Sequence, residues 1–216
     1  MRSPSPLCVK RLIAASLARR EGLAMIEFAF AFPVFALVVL GGLETVHLAM
    51  AHMRVNQIAI TVADNAGRVR TAIDETNINE VFAGADLVGK SLGFASNGRI
   101  VLSSLQPNEQ SGTRKGQMIN WQRCHGNLSV DPRYGREGAG KYDASLVDGM
   151  GGTGRQIQAA EGTAVMFVEV TYRYDPLISG VLGSGPQFIR YESAFNVRER
   201  TNQDISNVQG LGVNRC

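Results

Sequence analysis

Apolar positions change their spacing along this chain, and each change predicts a different element. From Leu23 to Leu43 the run is apolar almost throughout, 21 residues with Glu27 the one charge. A helix of that length covers about 31 Å, enough to cross a bilayer core. Beyond it the apolar residues thin to a stripe. Val55, Ile58, Ala59, Val62, Ala66, Val69 and Ile73 recur at intervals of one, three or four, the period of a helix with one face on a core. Arg54, Asn56, Gln57, Thr61, Asp64, Asn65 and Arg68 lie mostly off that stripe. The pattern predicts a membrane-spanning helix over 23–43 and its amphipathic continuation over 44–73, together about 75 Å long. A shorter helix followed by an independent second one has the same period, and both arrangements stay open.

Downstream the period drops to two. Residues 74–98 give few signals: a short helical turn over Asn77–Phe82, then glycines at 84, 89, 93 and 98. Asn97-Gly98 marks a turn into a strand over Arg99–Leu105, and Gly116–Cys124 reads as the returning strand of a long-looped hairpin. His125–Gly162 is rich in glycine and reads as a flexible surface loop. Its Gly151-Gly152-x-Gly154 cluster lacks both the lysine–serine ending and the strand–helix context of a phosphate loop. In Thr163–Tyr174, Glu169, Thr171 and Arg173 alternate with Val168, Val170, Tyr172 and Tyr174, the signature of a half-buried strand. Asp175-Pro176 ends it, and after a connection over Leu177–Pro186 its antiparallel partner runs over Gln187–Arg198. The expected fold is α+β: a long N-terminal helix, with a membrane-spanning first half and an amphipathic second half, packed on a small antiparallel sheet domain over 74–216.

Charge sharpens the topology. The net charge is +3, but residues 1–22 hold five bases and one acid, leaving −1 for the rest. The basic character belongs to a short arm ahead of the apolar segment, the placement that keeps an N-terminus cytoplasmic. It argues against a nucleic-acid surface on the body of the protein. No second stretch of comparable apolar length exists, which excludes a polytopic transporter or channel. The apolar segment is longer than a secretory signal core and runs on through Glu44 into Thr45–Met50 without a small-x-small site, so it fits a signal anchor. Glu27 is the odd residue: a carboxylate inside hydrocarbon is costly and usually has a partner or a task. Snorkelling to the interface near Arg19 or Arg20 is the plain alternative.

The segment from Arg19 to Ala29, a basic leader, Gly22, then an apolar helix with glutamate at its fifth position, resembles the processing region of type IV pilin-like proteins. The longer string Gly22-x4-Glu27-Phe28-Ala29-x3-Pro33, followed by an apolar helix carrying Glu44, resembles the TadE/TadG-like family of tight-adherence pilus assembly proteins, TadE-like members more closely. The likeness covers about residues 19–70. Leu23 departs from the phenylalanine of typical major pilins. The resemblance implies that 1–22 is a leader cut by a prepilin-type peptidase after Gly22, with Leu23 the first mature residue. It also implies that Glu27 is a subunit-assembly residue, paired with the amine of a neighbouring subunit. Pro33 removes one donor and clashes with the carbonyl four residues back, which predicts a helix kink or local loosening, and the resemblance places a proline there as well. Gly22 as a plain helix break near the membrane surface is the competing view. The implied partners are that peptidase, other pilin-like subunits, the inner-membrane pilus assembly platform and the lipid bilayer, with no nucleic acid. The implied location is the bacterial inner membrane, single pass, with the C-terminal domain periplasmic or incorporated in the pilus. A membrane-anchored extracytoplasmic binding or sensing module is the alternative function.

Of three cysteines, Cys8 would leave with the leader, and Cys124 and Cys216 would remain in an oxidising compartment as an even pair. A disulfide between them would pin the C-terminus; two thiols, or pairing between chains, are the other possibilities. Nothing points to an enzyme, a cofactor or a metal. His47 and His52 are five apart, about 500° of helical rotation, so they do not share a face as a zinc pair would, and they read as the polar edge of the membrane segment. Glu44 and His47 can face together, but two ligands make no site. His125 adjoins Cys124, whose thiol a disulfide would consume. The sequon Asn127-Leu128-Ser129 is short enough to arise by chance.

Overall fold

The computed structural model describes residues 21–178 and 185–216. Residues 1–20, which hold Cys8, Arg19, Arg20 and nearly all of the basic leader, lie outside them, as do 179–184 of the expected connection. The elements run α1 (Glu21–Arg68), β1 (Ile73–Asp74), α2 (Glu75–Gly89), a 3-10 turn (Lys90–Leu92), α3 (Phe94–Asn97), β2 (Gly98–Pro107), a second 3-10 turn (Gly112–Arg114), β3 (Gln117–His125), β4 (Val165–Tyr174), β5 (Gln187–Asn196) and β6 (Ile205–Ser206). The chain divides into two units, one ending at Val46 and including Leu177–Ser184, the other comprising His47–Pro176 and Gly185–Cys216.

The first 48 described residues are one helix, not two. Within the larger unit, α1 from His47 onward packs on the sheet. Ala51, Val55, Ile58, Ala59, Val62, Ala63 and Ala66 are fully buried, at the three- and four-residue steps that place side chains on one face. They share a core with Ile100, Leu102, Val168, Val170 and Ile189 of the strands. Small residues on this stripe let helix and sheet approach closely. At Gly67 a Cβ would stand 3.3 Å from the carbonyl of Asn196, and the Gly67 carbonyl accepts a bond from Arg198 N at 3.2 Å. The helix stops at Arg68, so the last stripe residue, Ile73, lies outside it. Ile73 pairs instead with Ile205 in a two-stranded parallel ladder.

The main sheet has the order β3-β2-β4-β5, antiparallel throughout. Both expected hairpin pairings are present, and β2 and β4 join them, with Leu102 opposite Val168. The expected short turn at Asn77–Phe82 is a 15-residue helix, α2. The Asp74 carboxylate accepts from Thr76 N at 3.0 Å, and Asn77 Oδ1 accepts from Asp74 N at 3.1 Å, a capping box that satisfies two orphan helix-end donors. That cap outweighs Gly84, which costs about 1 kcal/mol in a helix interior.

The glycine-rich 125–162 region is no solvated loop. Its Leu146, Met150 and Ala159 are buried with Leu105, Ile119, Val165 and Phe167 in a second core. Met150 and Ile157 form a bridge, and at Gly149, with φ +90°, a Cβ would lie 2.1 Å from the Ile157 carbonyl. This layer is why β4 is buried on both faces, not half-buried as its alternation implies. Glu169 and Thr171 are no more than 9% exposed. Cys124 and Cys216 form a disulfide across a separation of 92 residues. The C-terminal tail it holds adds to the edge of β3, where Cys124 N donates to the Asn214 carbonyl at 2.8 Å.

Candidate functional site

The residues singled out by sequence lie on the first part of α1. From Gly22 to Leu43 no residue is buried, and the apolar side chains Leu23, Ile26, Phe28, Phe35, Leu37 and Val38 are each more than half exposed. The most apolar 18-residue stretch has a mean hydropathy of 2.4, and this is the one helix among the described residues long and apolar enough to cross a membrane. An uncovered apolar helix of this length is unstable in water and suited to a hydrocarbon solvent or to other helices. Its backbone bonds are internal, as a spanning segment requires.

Gly22 lies one residue inside the described start of the helix with nothing within 4 Å of where a Cβ would stand. Leu23 follows it, exposed. Glu27 is also exposed and, among the described residues, makes no hydrogen bond or ion pair. The next acid toward the C-terminal end of the helix behaves otherwise: Glu44 is fully buried and its Oε2 accepts a bond from Ile178 N at 3.1 Å. Two carboxylates on one apolar helix are thus treated differently, one held inside its own unit and one presented outward. α1 continues unbroken through Pro33, although the proline removes one donor from the ladder.

The histidines have structural partners. His47 Nδ1 lies 2.8 Å from Tyr174 Oη, and His52 Nδ1 lies 3.2 Å from Tyr191 Oη, so they tie α1 to β4 and β5. His125 is bonded to Asp86 at 2.9 Å and stacks on Phe82. None of them meets another ligand: among the described residues no group of three or more His, Cys, Asp or Glu could hold a metal ion.

Three polar features went unread in the sequence. Arg123, next to Cys124, is buried and gives Nε and Nη2 to Glu75 Oε1 at 2.8 and 2.6 Å, and Nη1 to Glu137 Oε2 at 2.9 Å. Asp74 caps α2 and also accepts from Ser206 Oγ and Val208 N. The bonds from Thr76 and Val208 hold its carboxyl down at about 2. Glu169 Oε2 accepts from Arg133 N at 3.0 Å while Oε1 is buried without a partner. Burial raises its pKa to about 7. The Asp74-x-x-Asn77 spacing was available as a helix-start signal; nothing local marks the other two.

Residues 22–64 match the family model described as TadE-like protein. The match covers the exposed apolar helix and most of its packed continuation, and not the sheet domain. No curated protein and no solved structure matches the chain.

Proposed function

We propose that this chain is a pilin-like structural or assembly component of a tight-adherence pilus machine. In this reading it is anchored in the bacterial inner membrane by α1, with a cytoplasmic N-terminus and a periplasmic sheet domain. One observation carries the reading. The TadE-like match over 22–64 falls on a helix whose first-half apolar side chains are uncovered and whose Glu27 is exposed with no partner among the described residues. A plain anchor has no use for a carboxylate at that depth, where it costs free energy unless paired.

Here the prepilin-type peptidase cuts after Gly22, whose missing side chain suits a narrow cleft, and Leu23 carries the new amine. The Glu27 carboxylate pairs with the amine of a neighbouring pilin-like subunit, which offsets the desolvation of both charges and fixes register more than it adds stability. Pro33 loosens the helix so that it can leave the bilayer and repack. The same exposed face serves lipid before assembly and other helices afterwards, and the assembly platform is the third partner. The role is structural, not enzymatic. Intact-mass measurement of membrane-extracted protein, from a host with the peptidase and from one without it, tests the reading. The expected mature chain begins at Leu23 only when the peptidase is present. A chain that keeps residues 1–22 in both hosts would reduce the protein to a simple anchored module.

A further inference from the structure

The two edges of the sheet are treated unequally. On β3, Ile119 N donates to the Ala139 carbonyl at 3.0 Å, Gly138 N to the Ile119 carbonyl at 2.9 Å, and Cys124 N to Asn214. One edge is therefore closed by a loop and by the disulfide-held tail. On β5 the ten residues Gln187–Asn196 pair with β4 on one side, and no other backbone group among the described residues bonds to them. Alternate peptide groups of β5 thus point outward with donors and acceptors unmet among the described residues, the arrangement that recruits an added strand.

The side chains along this edge give the strand a charge preference. A concavity of about 520 Å³ borders β5 on the face away from α1, and its lining includes Arg133, Arg155, Arg190 and Glu192 as the charged residues, a net charge of +2. Glu192 accepts a bond from Tyr134 Oη at 2.8 Å and lies 3.6 Å from Arg133. Arg155 and Arg190 make no side-chain hydrogen bond or salt bridge among the described residues. Phe188, two residues before Arg190 and hence on the same face, is 54% exposed. Two guanidinium groups with no hydrogen bond or salt bridge among the described residues border this concavity, Arg190 with exposed Phe188 on its face of the strand, and they match a partner that carries carboxylates.

We infer that the open edge of β5 docks an extended acidic segment of another protein chain. It joins the sheet as a fifth strand beside β5 and sets a carboxylate into the concavity lined by Arg155 and Arg190. The inference is independent of the role given to Glu27 and holds whether or not the chain enters a filament. The test uses the full chain in detergent micelles and three capped, labelled peptides. The first is Thr-Val-Asp-Val-Asp-Val-Thr, the second has lysine for aspartate, and the third is the acidic peptide N-methylated at alternate residues. The acidic peptide should bind saturably and slow amide exchange over 187–196 but not over 117–125. The lysine peptide should bind about tenfold more weakly, and the N-methylated one should not bind. The Arg155→Glu/Arg190→Glu variant should reverse the order of the two charged peptides. Absence of saturable binding by the acidic peptide overturns the inference. So does binding indifferent to peptide charge or to N-methylation, or binding that leaves exchange over 187–196 unchanged.

Discussion

Arg123 and Glu75 meet at 2.6 Å with both side chains no more than 5% exposed, one residue from the disulfide. The pair ties the first residue of α2 to β3, and Glu137 completes the guanidinium's bonding from the other side. Removing Glu75 leaves the buried guanidinium with Glu137 as its one carboxylate partner and two of its donors unmet. Glu75→Ala should therefore lower unfolding free energy by about 1–3 kcal/mol, whereas replacing both residues with apolar ones of similar volume should cost less. Denaturant unfolding of both variants in micelles checks this; equal losses would show that packing, not charge, sets the cost.

The bond between Cys124 and Cys216 closes a long loop, and the tail it holds caps the edge of β3. For that loop length the chain-entropy estimate is roughly 4–5 kcal/mol. Cys216→Ser should lower the melting temperature and raise amide exchange over 117–125 more than over 187–196. Non-reducing peptide mapping should join the peptides containing Cys124 and Cys216 within one chain, and alkylation of both without reduction would contradict the structure.

Glu169 gives a pH dependence of definite sign. Its pKa is raised by burial to about 7 in the folded chain, above the ordinary carboxylate value near 4.3 of an unfolded one. Between those values the unfolded chain has released a proton that the folded chain keeps, so this group's contribution to stability falls as pH rises from about 4.5 to about 7. Glu169→Gln removes the titration. It should be nearly neutral at pH 4.5 and stabilising by a few kcal/mol at pH 8. A variant whose stability relative to the parent does not change with pH would show that Glu169 titrates normally.

These features bear on what could be read from the chain itself. The long apolar helix, the packed stripe and both hairpin pairings follow from spacing alone, because helix and strand periods are local. Residues such as Val55, Ile58 and Val62 declare their face without reference to anything distant. The α2 helix is masked in the sequence by the interior Gly84, although Asp74 and Asn77 stand at capping-box spacing. Glu169 and Thr171 look solvent-facing in the strand alternation. The layer that buries them comes from 130–159, and its glycines suggest a loop until Leu146, Met150 and Ala159 find a core. Arg123 with Glu75 could not be read locally at all, since 48 residues separate the partners.

The exposed apolar half of α1 offers the sharpest separation between two fates for one carboxylate. If Glu27 only snorkels, Glu27→Gln should leave insertion, processing and piliation unchanged, since an amide is easier to place at an interface than a charge. If it pairs with a neighbouring amine, the same change leaves that amine without its counter-charge at a cost of a few kcal/mol. The chain then still reaches the membrane and loses its leader while surface pili fall or vanish. Leu37→Gln serves as the contrast. Leu37 is exposed in mid-helix, and an amide there has no partner in hydrocarbon, so membrane insertion itself should weaken. Pilus yield measured beside the amount of mature subunit in the membrane fraction distinguishes the two. The expected pattern is normal subunit with lost pili for Glu27→Gln, and reduced subunit for Leu37→Gln. Normal piliation with Glu27→Gln would reject the pairing and leave Glu27 as an interfacial residue of the anchor.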